Sequence, residues 1–384
     1  MTIGFNKPYF TGKETSYILE AVRREKISGN GYFTQLCHDF FEKRYGFKKV
    51  LLTNSCTDAL EMAAILIDVQ PDDEVIIPAY TFVSTANAFV LRGAKIIFAD
   101  SYPHHPNLNA DSLEPYITPR TKAIVVVHYA GIACDMDKIS ELAQKYNLFV
   151  VEDAAQAING FYKGKPLGSF GHLGCFSFHE TKNIISGEGG MLVINDERFM
   201  KRAEIIWEKG TNRAAFFRGE IDKYGWVDIG SSFLPSELIA AFLYAQLEKL
   251  DQIQEKRQWI WQYYYQNLEI LAQKNLCKLP YIPEFSTNNA HIFYLLCQNL
   301  EQRTALIEYL KKQHIQAVFH YLNLQKSPFY TTYQPQMKTK ELTNADYFAD
   351  SLVRLPMYYE LTETELDYII QHIKTFFTTS FTSN

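Results

Sequence analysis

Four short runs, DEVIIPAY (73–80), AKIIFAD (94–100), KAIVVVHYA (122–130) and LFVVEDAA (148–155), are apolar throughout and end in polar or small residues. A strand with one wet face alternates apolar and polar side chains, whereas a strand apolar on both faces must be covered on both. Helix-length segments such as SCTDALEMAAILIDV (55–69) and MDKISELAQKYN (136–147) separate them. The pattern predicts a mostly parallel sheet flanked by helices, an α/β fold. In such sheets ligands gather beyond the carboxyl ends of the strands. That rule makes Tyr80 to Phe82, His128 to Tyr129 and Asp153 to Gln156 candidates for one crevice.

After Pro235 the pattern changes to SELIAAFLYAQLEKLDQIQEKRQWIWQYYYQNLEIL, with Leu243, Leu247 and Leu250 at helical spacing. Proline near its first turn supports one long helix leading out of a large domain. Beyond it, HIFYLLC (291–297) and IQAVFHY (315–321) read as strands among helices. The expected organisation is a large domain over 1–250 and a smaller C-terminal α/β domain over 251–384, two domains being the default for this length. The sequence shows no internal repeat, and the tail FFTTSFTSN reads as frayed.

Hydrophobic residues make up 47% of the chain and charged residues 21%, the balance of an ordered globular protein. The net charge of −5, with Lys and Arg scattered, argues against nucleic acid or a membrane surface as partner. Small molecules are then the expected ligands. The cysteines at 37, 56, 134, 175, 277 and 297 form no Cys-x-x-Cys pair and have no His pair at zinc spacing, so no metal is expected and free thiols fit best. The start MTIGFNKPYF lacks a signal-peptide pattern, and no run approaches the ~18 apolar residues of a membrane span, which together predict a cytoplasmic protein.

The chemistry centres on FHETKNIISGEGG (178–190). Lys182 is either an ordinary solvated lysine or a partly desolvated nucleophile held by a loop that approaches a ligand closely. Asp153 closes the strand LFVVED and alone would read as a helix cap. Lys182 follows it 29 residues later, past the candidate strand GCFSFHE (174–180), so acid and amine can meet over one crevice. Pyridoxal phosphate (PLP) chemistry needs that pair, a lysine for the Schiff base and a carboxylate to keep the ring nitrogen protonated. TNSCTDALEMAA (53–64) adds a helix start with small hydroxylated residues, suited to a phosphate, and Ser177 can add a hydroxyl. Phe82 can stack on a ring, and Gln156 can reach its oxygen.

The segments TNSCTDALE, IPAYTFVSTANA, VEDAAQA, FSFHETKNIISGEGG and RLPMYYELTETEL stand in the order and spacing of the DegT/DnrJ/EryC1/StrS sugar aminotransferases, which the chain resembles nearly end to end. The resemblance implies a fold type I, aspartate aminotransferase-like PLP enzyme, with the first roughly 20 residues packed on the small domain. It implies that Lys182 holds the cofactor, Asp153 faces the pyridine nitrogen, Gln156 contacts the ring oxygen and Phe82 stacks on the ring. Cys56, Thr57 and Ser177 would bind the phosphate. Much of the family has an Asn that reaches the phosphate from the neighbouring subunit; here GSSFLP places the shorter Ser232 there, in what is still expected to be a homodimer with sites at the subunit interface.

Related dehydratases carry His in place of the lysine, so Lys182 favours transamination. The implied reaction moves an amino group from L-glutamate, through pyridoxamine phosphate (PMP), to the C4 ketone of dTDP-4-dehydro-6-deoxy-D-glucose. The products are dTDP-4-amino-4,6-dideoxy-D-galactose, a sugar of enterobacterial common antigen, and 2-oxoglutarate. His320 and Tyr321 are candidates to contact the sugar, and Lys209, Asn212 and Arg213 to meet the diphosphate or the donor's carboxylate. Alternatives are amination at C3, the opposite C4 configuration, or a regulator without turnover; retention of Lys182 and the lack of a spare domain oppose the last.

Overall fold

The computed structural model describes residues 2–334 and 341–379. Its strands are β1 Val50–Thr53, β2 Glu74–Pro78, β3 Lys95–Ala99, β4 Thr121–Val127, β5 Phe149–Asp153, a small hairpin of β6 Phe161–Tyr162 and β7 Lys165–Pro166, β8 Leu173–Ser177, β9 Gly190–Ile194, β10 Tyr294–Leu296, β11 Val318–Phe319 and β12 Leu352–Arg354. Seven of them form one sheet in the order β1-β9-β8-β5-β4-β2-β3. The pairs β2–β3, β2–β4, β4–β5 and β5–β8 are parallel, and β9 runs antiparallel to both its neighbours. The expected parallel sheet is therefore present. β1 and β9 are additions to it that the sequence pattern did not mark.

The helices are α1 Glu14–Arg23, α2 Tyr32–Tyr45, α3 Cys56–Leu66, α4 Val83–Val90, α5 Met136–Tyr146, α6 Glu197–Trp207, α7 Arg213–Phe217, α8 Glu237–Leu247, α9 Leu250–Gln273, α10 Leu300–Lys312, α11 Pro328–Tyr333, α12 Thr343–Ser351 and α13 Glu363–Thr379. Two cores lie on opposite faces of the large sheet. Ala123 and Val125 of β4 pack with α3, α4 and α6, while Ile124 and Val126 pack with α2, α5 and α8. Successive strand side chains point to opposite faces, which is why β4 is apolar at every position from Ala123 to Val127.

A third core joins Ile260, Trp261, Tyr264 and Leu268 of α9 to Leu295, Val353, Ile369 and Phe377 around the sheet β10-β12-β11. Ile3 is buried in the same core, its N–H donating to the carbonyl of His314.

Two expectations need correction. The run after Pro235 is two helices, because the chain turns at Glu248 and Lys249, where the Lys249 N–H bonds to the Gln246 carbonyl. That turn lets α8 lie on α1 and α2 while α9 crosses to α13. The tail is also ordered further than expected: Phe376 and Phe377 are buried on α13, and residues 380–384 of the expected frayed segment lie outside the described residues.

Candidate active site

The carboxyl ends of β2, β4, β5 and β8 and the start of α3 surround a cavity of about 620 Å³, closed on its far side by residues of the small sheet. Cys56, Thr57, Phe82, Asp153, Gln156, Ser177, Lys182, His320 and Tyr321 all line it.

At one end, Ser55 is extended and its hydroxyl accepts from the Asp58 N–H at 3.1 Å, capping α3. The first N–H groups of such a helix have no partner within it and favour an anion. Thr57 Oγ1 donates to Ser84 Oγ at 2.8 Å, and Ser177 Oγ accepts from the His179 N–H at 3.3 Å. A Cβ on Gly190 would stand 2.3 Å from the Ser55 carbonyl carbon and 2.5 Å from the Cys56 nitrogen. Strand β9 can therefore lie against the head of α3 only with glycine at its first position.

Asp153 ends β5 and is buried. Thr85 Oγ1 donates to its Oδ2 at 2.7 Å and the Ala155 N–H to its Oδ1 at 3.1 Å. Burial raises its pKa, and the Thr85 and Ala155 bonds with the charge of Lys182 pull it back. A frame behind it fixes the strand end. Glu152, fully buried, accepts from the N–H groups of Gly168, Phe170 and Gly171 at 2.8, 2.7 and 2.6 Å. His128 Nδ1 accepts from the Cys134 N–H, so its Nε2 proton faces Glu152 at 2.9 Å, and its backbone N–H donates to the Asp153 carbonyl.

Lys182 lies in the turn after β8, half-buried, its N–H bonded to the His179 carbonyl. Burial lowers its pKa, Arg354 adds to that, and Cys56 and Asp153 oppose it. The turn is tied to its surroundings through Asn183, which donates to Gln254 and to the Asn289 carbonyl and pairs with His291 Nδ1 at 2.8 Å.

Gln156 Oε1 accepts from the Ala130 N–H at 2.7 Å and Nε2 donates to Tyr321 Oη at 3.0 Å. Tyr321, at φ 53°, lies 6.0 Å from the Phe82 ring and stacks on His320 at 3.6 Å. Phe82 is 54% exposed, so an aromatic edge is left uncovered at the cavity mouth. His320 Nδ1 meets Tyr129 Oη at 2.7 Å, and Tyr80 Oη donates to the His320 carbonyl. Burial, Arg354 and Lys182 keep this imidazole neutral. Of the candidates at strand ends, Tyr80, His128 and Tyr129 thus stand behind the wall rather than on it.

Ser232 is exposed outside the cavity, its carbonyl accepting from Asn54. Lys209, Asn212 and Arg213 also lie outside it. Asn212 accepts from the Gly225 N–H at 2.8 Å, and Arg213 packs over the Phe217 ring at 5.0 Å. The wall includes residues the sequence reading did not select, chiefly Arg354, His291 and Ser84, with Thr85 behind Asp153. Arg354 and His291 open segments already noted, RLPMYY and HIFYLLC, but neither spacing nor composition separates a buried arginine from a surface one. A second cavity, about 770 Å³, lies between α9 and the small sheet beside Trp261, Tyr265, Lys278 and Tyr347. It is larger, but its acid and amine, Glu269 and Lys278, are both exposed, whereas the first cavity has a buried carboxylate.

A profile of the DegT/DnrJ/EryC1/StrS aminotransferase family matches residues 9–374. The chain belongs to this family. It is 32% identical over 370 residues to GDP-perosamine synthase of Caulobacter vibrioides, covering 94% of this chain and 95% of that one. Over 348 residues it is 32% identical to the spore coat polysaccharide biosynthesis protein SpsC of Bacillus subtilis, covering 87% and 88%. Among solved structures, an aminotransferase from Psychrobacter cryohalolentis superposes with a TM-score of 0.90 at 26% identity, over 98% of this chain and 99% of that one. The chain is thus a PLP-dependent sugar aminotransferase of the DegT/DnrJ/EryC1/StrS type on the fold its sequence implied. Its residues fit that cofactor: a desolvated lysine amine, a hydrogen-bonded buried carboxylate, a helix start suited to a phosphate and an uncovered aromatic edge share one wall. Among the described residues no helix is long and apolar enough to cross a membrane, and no cluster of His, Cys, Asp and Glu could hold a metal.

Proposed function

We propose that this enzyme transfers the amino group of L-glutamate to the C4 ketone of dTDP-4-dehydro-6-deoxy-D-glucose, yielding dTDP-4-amino-4,6-dideoxy-D-galactose and 2-oxoglutarate. The observation that carries aminotransfer is Lys182, a lysine with a depressed pKa in the same cavity as a buried carboxylate. When bound, PLP supplies the electron-withdrawing ring that accepts negative charge from the reacting carbon and carries nitrogen from one substrate to the next. Lys182 holds the cofactor covalently. Once displaced by the donor's amine, the freed neutral amine would take the proton from the donor's α-carbon and, in the second half, deliver one to C4 of the sugar. An arginine, always charged, could not do this.

Asp153 keeps the ring nitrogen protonated, with Thr85 and the Ala155 N–H holding the carboxylate in place. Gln156 would meet the ring oxygen, Phe82 would stack on the ring, and Cys56, Thr57 and Ser177 would bind the phosphate. His320 and Tyr321, on the small-sheet side of the cavity, contact the acceptor sugar. We assign Ser232, Lys209, Asn212 and Arg213 to the site of a second copy in a homodimer, the last three facing the diphosphate or the donor's carboxylate, because they lie outside this chain's own cavity. The large domain is taken as 1–250 and the small one as 251–384, in a cytoplasmic enzyme.

A GDP-linked acceptor is the second reading, favoured by the likeness to a protein named GDP-perosamine synthase. Incubation with glutamate and dTDP-4-keto, dTDP-3-keto and GDP-4-keto sugars, followed by NMR of the product, separates them. Coupling constants of an axial C4 amine on a dTDP sugar are expected; amination at C3, an equatorial amine or turnover confined to GDP sugars would replace the assignment.

A further inference from the structure

Beside the second cavity two cysteines face each other. Lys278, on the stretch that leaves α9, and Leu296, which ends β10, exchange both backbone hydrogen bonds at 2.9 Å in an antiparallel bridge. One step outward along each stretch stand Cys277 and Cys297. In an antiparallel ladder the pair next to a doubly bonded one makes no mutual backbone bond, brings its Cα atoms to about 4.5 Å and points both side chains to one face. The Cys297 N–H accordingly turns away, to the Ser351 carbonyl. Both cysteines enter the third core and both line the cavity of about 770 Å³. The Cys277 thiol also acts electrostatically on Cys297. A disulfide spans Cα separations of about 4.4–6.8 Å, so the register brings the two thiols within its reach. Cys37 and Cys134, by contrast, give their thiols to backbone carbonyls in the core behind the large sheet and line neither cavity.

We propose that Cys277 and Cys297 are an oxidation site, a dithiol that closes to a cross-strand disulfide when a low-molecular-weight disulfide enters the second cavity. Cys277, 5% exposed against 1% for Cys297, attacks first. Its thiolate displaces one sulfur of the small disulfide, leaving a mixed disulfide on Cys277 and releasing one small thiol. Cys297 then attacks the Cys277 sulfur, forms the protein disulfide and releases the second small thiol. The protein thiols lose an electron pair to the small disulfide, and their protons end on the released thiols. Burial pushes both thiols up to about 12; Arg303 of α10 pulls Cys297 the other way, and Glu269 and Lys278 at the cavity are exposed. The closed bond ties together the ends of the segment 278–296, which carries Asn289 and His291, partners of Asn183 in the lysine turn.

The test treats the wild-type holoenzyme with hydroxyethyl disulfide, then quenches with acid, alkylates, and reads a non-reduced digest by mass spectrometry. The expected product is a cross-linked peptide pair joining Cys277 to Cys297, reversed by dithiothreitol, with no hydroxyethyl group retained. Its rate of formation should rise about tenfold per pH unit between about pH 7 and 10, because only the thiolate attacks and burial keeps its fraction small, whereas an exposed thiol levels off near about 8.5. Cys297→Ala should stop at a hydroxyethyl adduct on Cys277, and Cys277→Ala should leave Cys297 unmodified. Full alkylation of both cysteines in the treated wild type, a cross-link through another cysteine, one that forms only in urea, or a rate already flat above about pH 9 would overturn the site. Should either variant melt early, the wild-type cross-link and its pH profile decide alone. Since no step requires turnover, the outcome is independent of the aminotransfer reading above.

Discussion

On the proposed reading Lys182 and Asp153 have opposite requirements in one cavity, an amine that must lose its charge and a carboxylate that must keep it. Burial disfavours the charged form of both, and only Asp153 is given hydrogen bonds to offset that, from Thr85 and Ala155. Lys182→Ala should abolish turnover and the borohydride-trapped adduct on the 178–190 peptide while leaving circular dichroism unchanged. Lys182→Arg should be equally inactive despite its charge. Asp153→Asn should retain cofactor but slow α-proton removal by about 10²-fold, a loss of about 3 kcal/mol of transition-state stabilisation, read in a single-turnover half-reaction with glutamate. Near-normal rates in that variant would show that the ring nitrogen has another partner. Both residues were recognisable from residue type and spacing. Arg354 was not, because its burial on the cavity wall, with an Nε that has no hydrogen-bond partner among the described residues, is encoded by no local pattern.

At the scale of elements, the head of α3 and strand β9 form one unit. Gly190→Ala forces a methyl group onto the backbone of Ser55 and Cys56, atoms that cannot rotate away. It should lower stability by about 1–3 kcal/mol in urea unfolding and, with the phosphate placed at the head of α3 as proposed, raise the Kd for PLP by titration. Ser55→Ala removes the cap of α3 and should cost about 1 kcal/mol in the same measurement. The sequence marked Gly190 as part of a glycine-rich turn; the structure makes it the first residue of a strand in close contact with a helix start. The division of the run after Pro235 into α8 and α9 was hidden for a related reason. Helical periodicity continues across Glu248 and Lys249, and only docking of α8 on α1 and α2 requires the turn there.

For the whole molecule, buried histidines set the response to acid. His38 on α2 accepts from the Leu52 N–H at 3.0 Å, and burial, with Lys49 nearby, lowers its pKa to about 3. His105 is lowered to about 3 by burial and His104. Between about pH 6.5 and 3 the unfolded chain binds these protons and the folded chain does not, so stability is present above 6.5 and falls as pH drops through that window. At pH 5 His38 alone should account for a loss of about 2 kcal/mol relative to pH 7. Urea midpoints at the two pH values should differ accordingly, and His38→Gln, which keeps an acceptor but does not titrate, should flatten the difference. An unchanged pH slope in that variant would show that His38 is protonated in the fold or neutral in both states.

By itself the sequence determined the layered α/β fold, the pairing of Lys182 with Asp153 and the family, because each is written in local periodicity or in the order of short motifs along the chain. The tertiary structure decided which candidates share a wall. It brought His320 and Tyr321 from some 140 positions beyond Lys182 into the cavity, and left Lys209, Asn212 and Arg213 outside it. It also placed on the cavity wall that holds Lys182 a guanidinium, that of Arg354, whose Nε has no hydrogen-bond partner among the described residues. Proximity between distant segments depends on how three cores pack around two sheets, and burial of a charge depends on every neighbour at once; neither quantity is carried by any one stretch of residues.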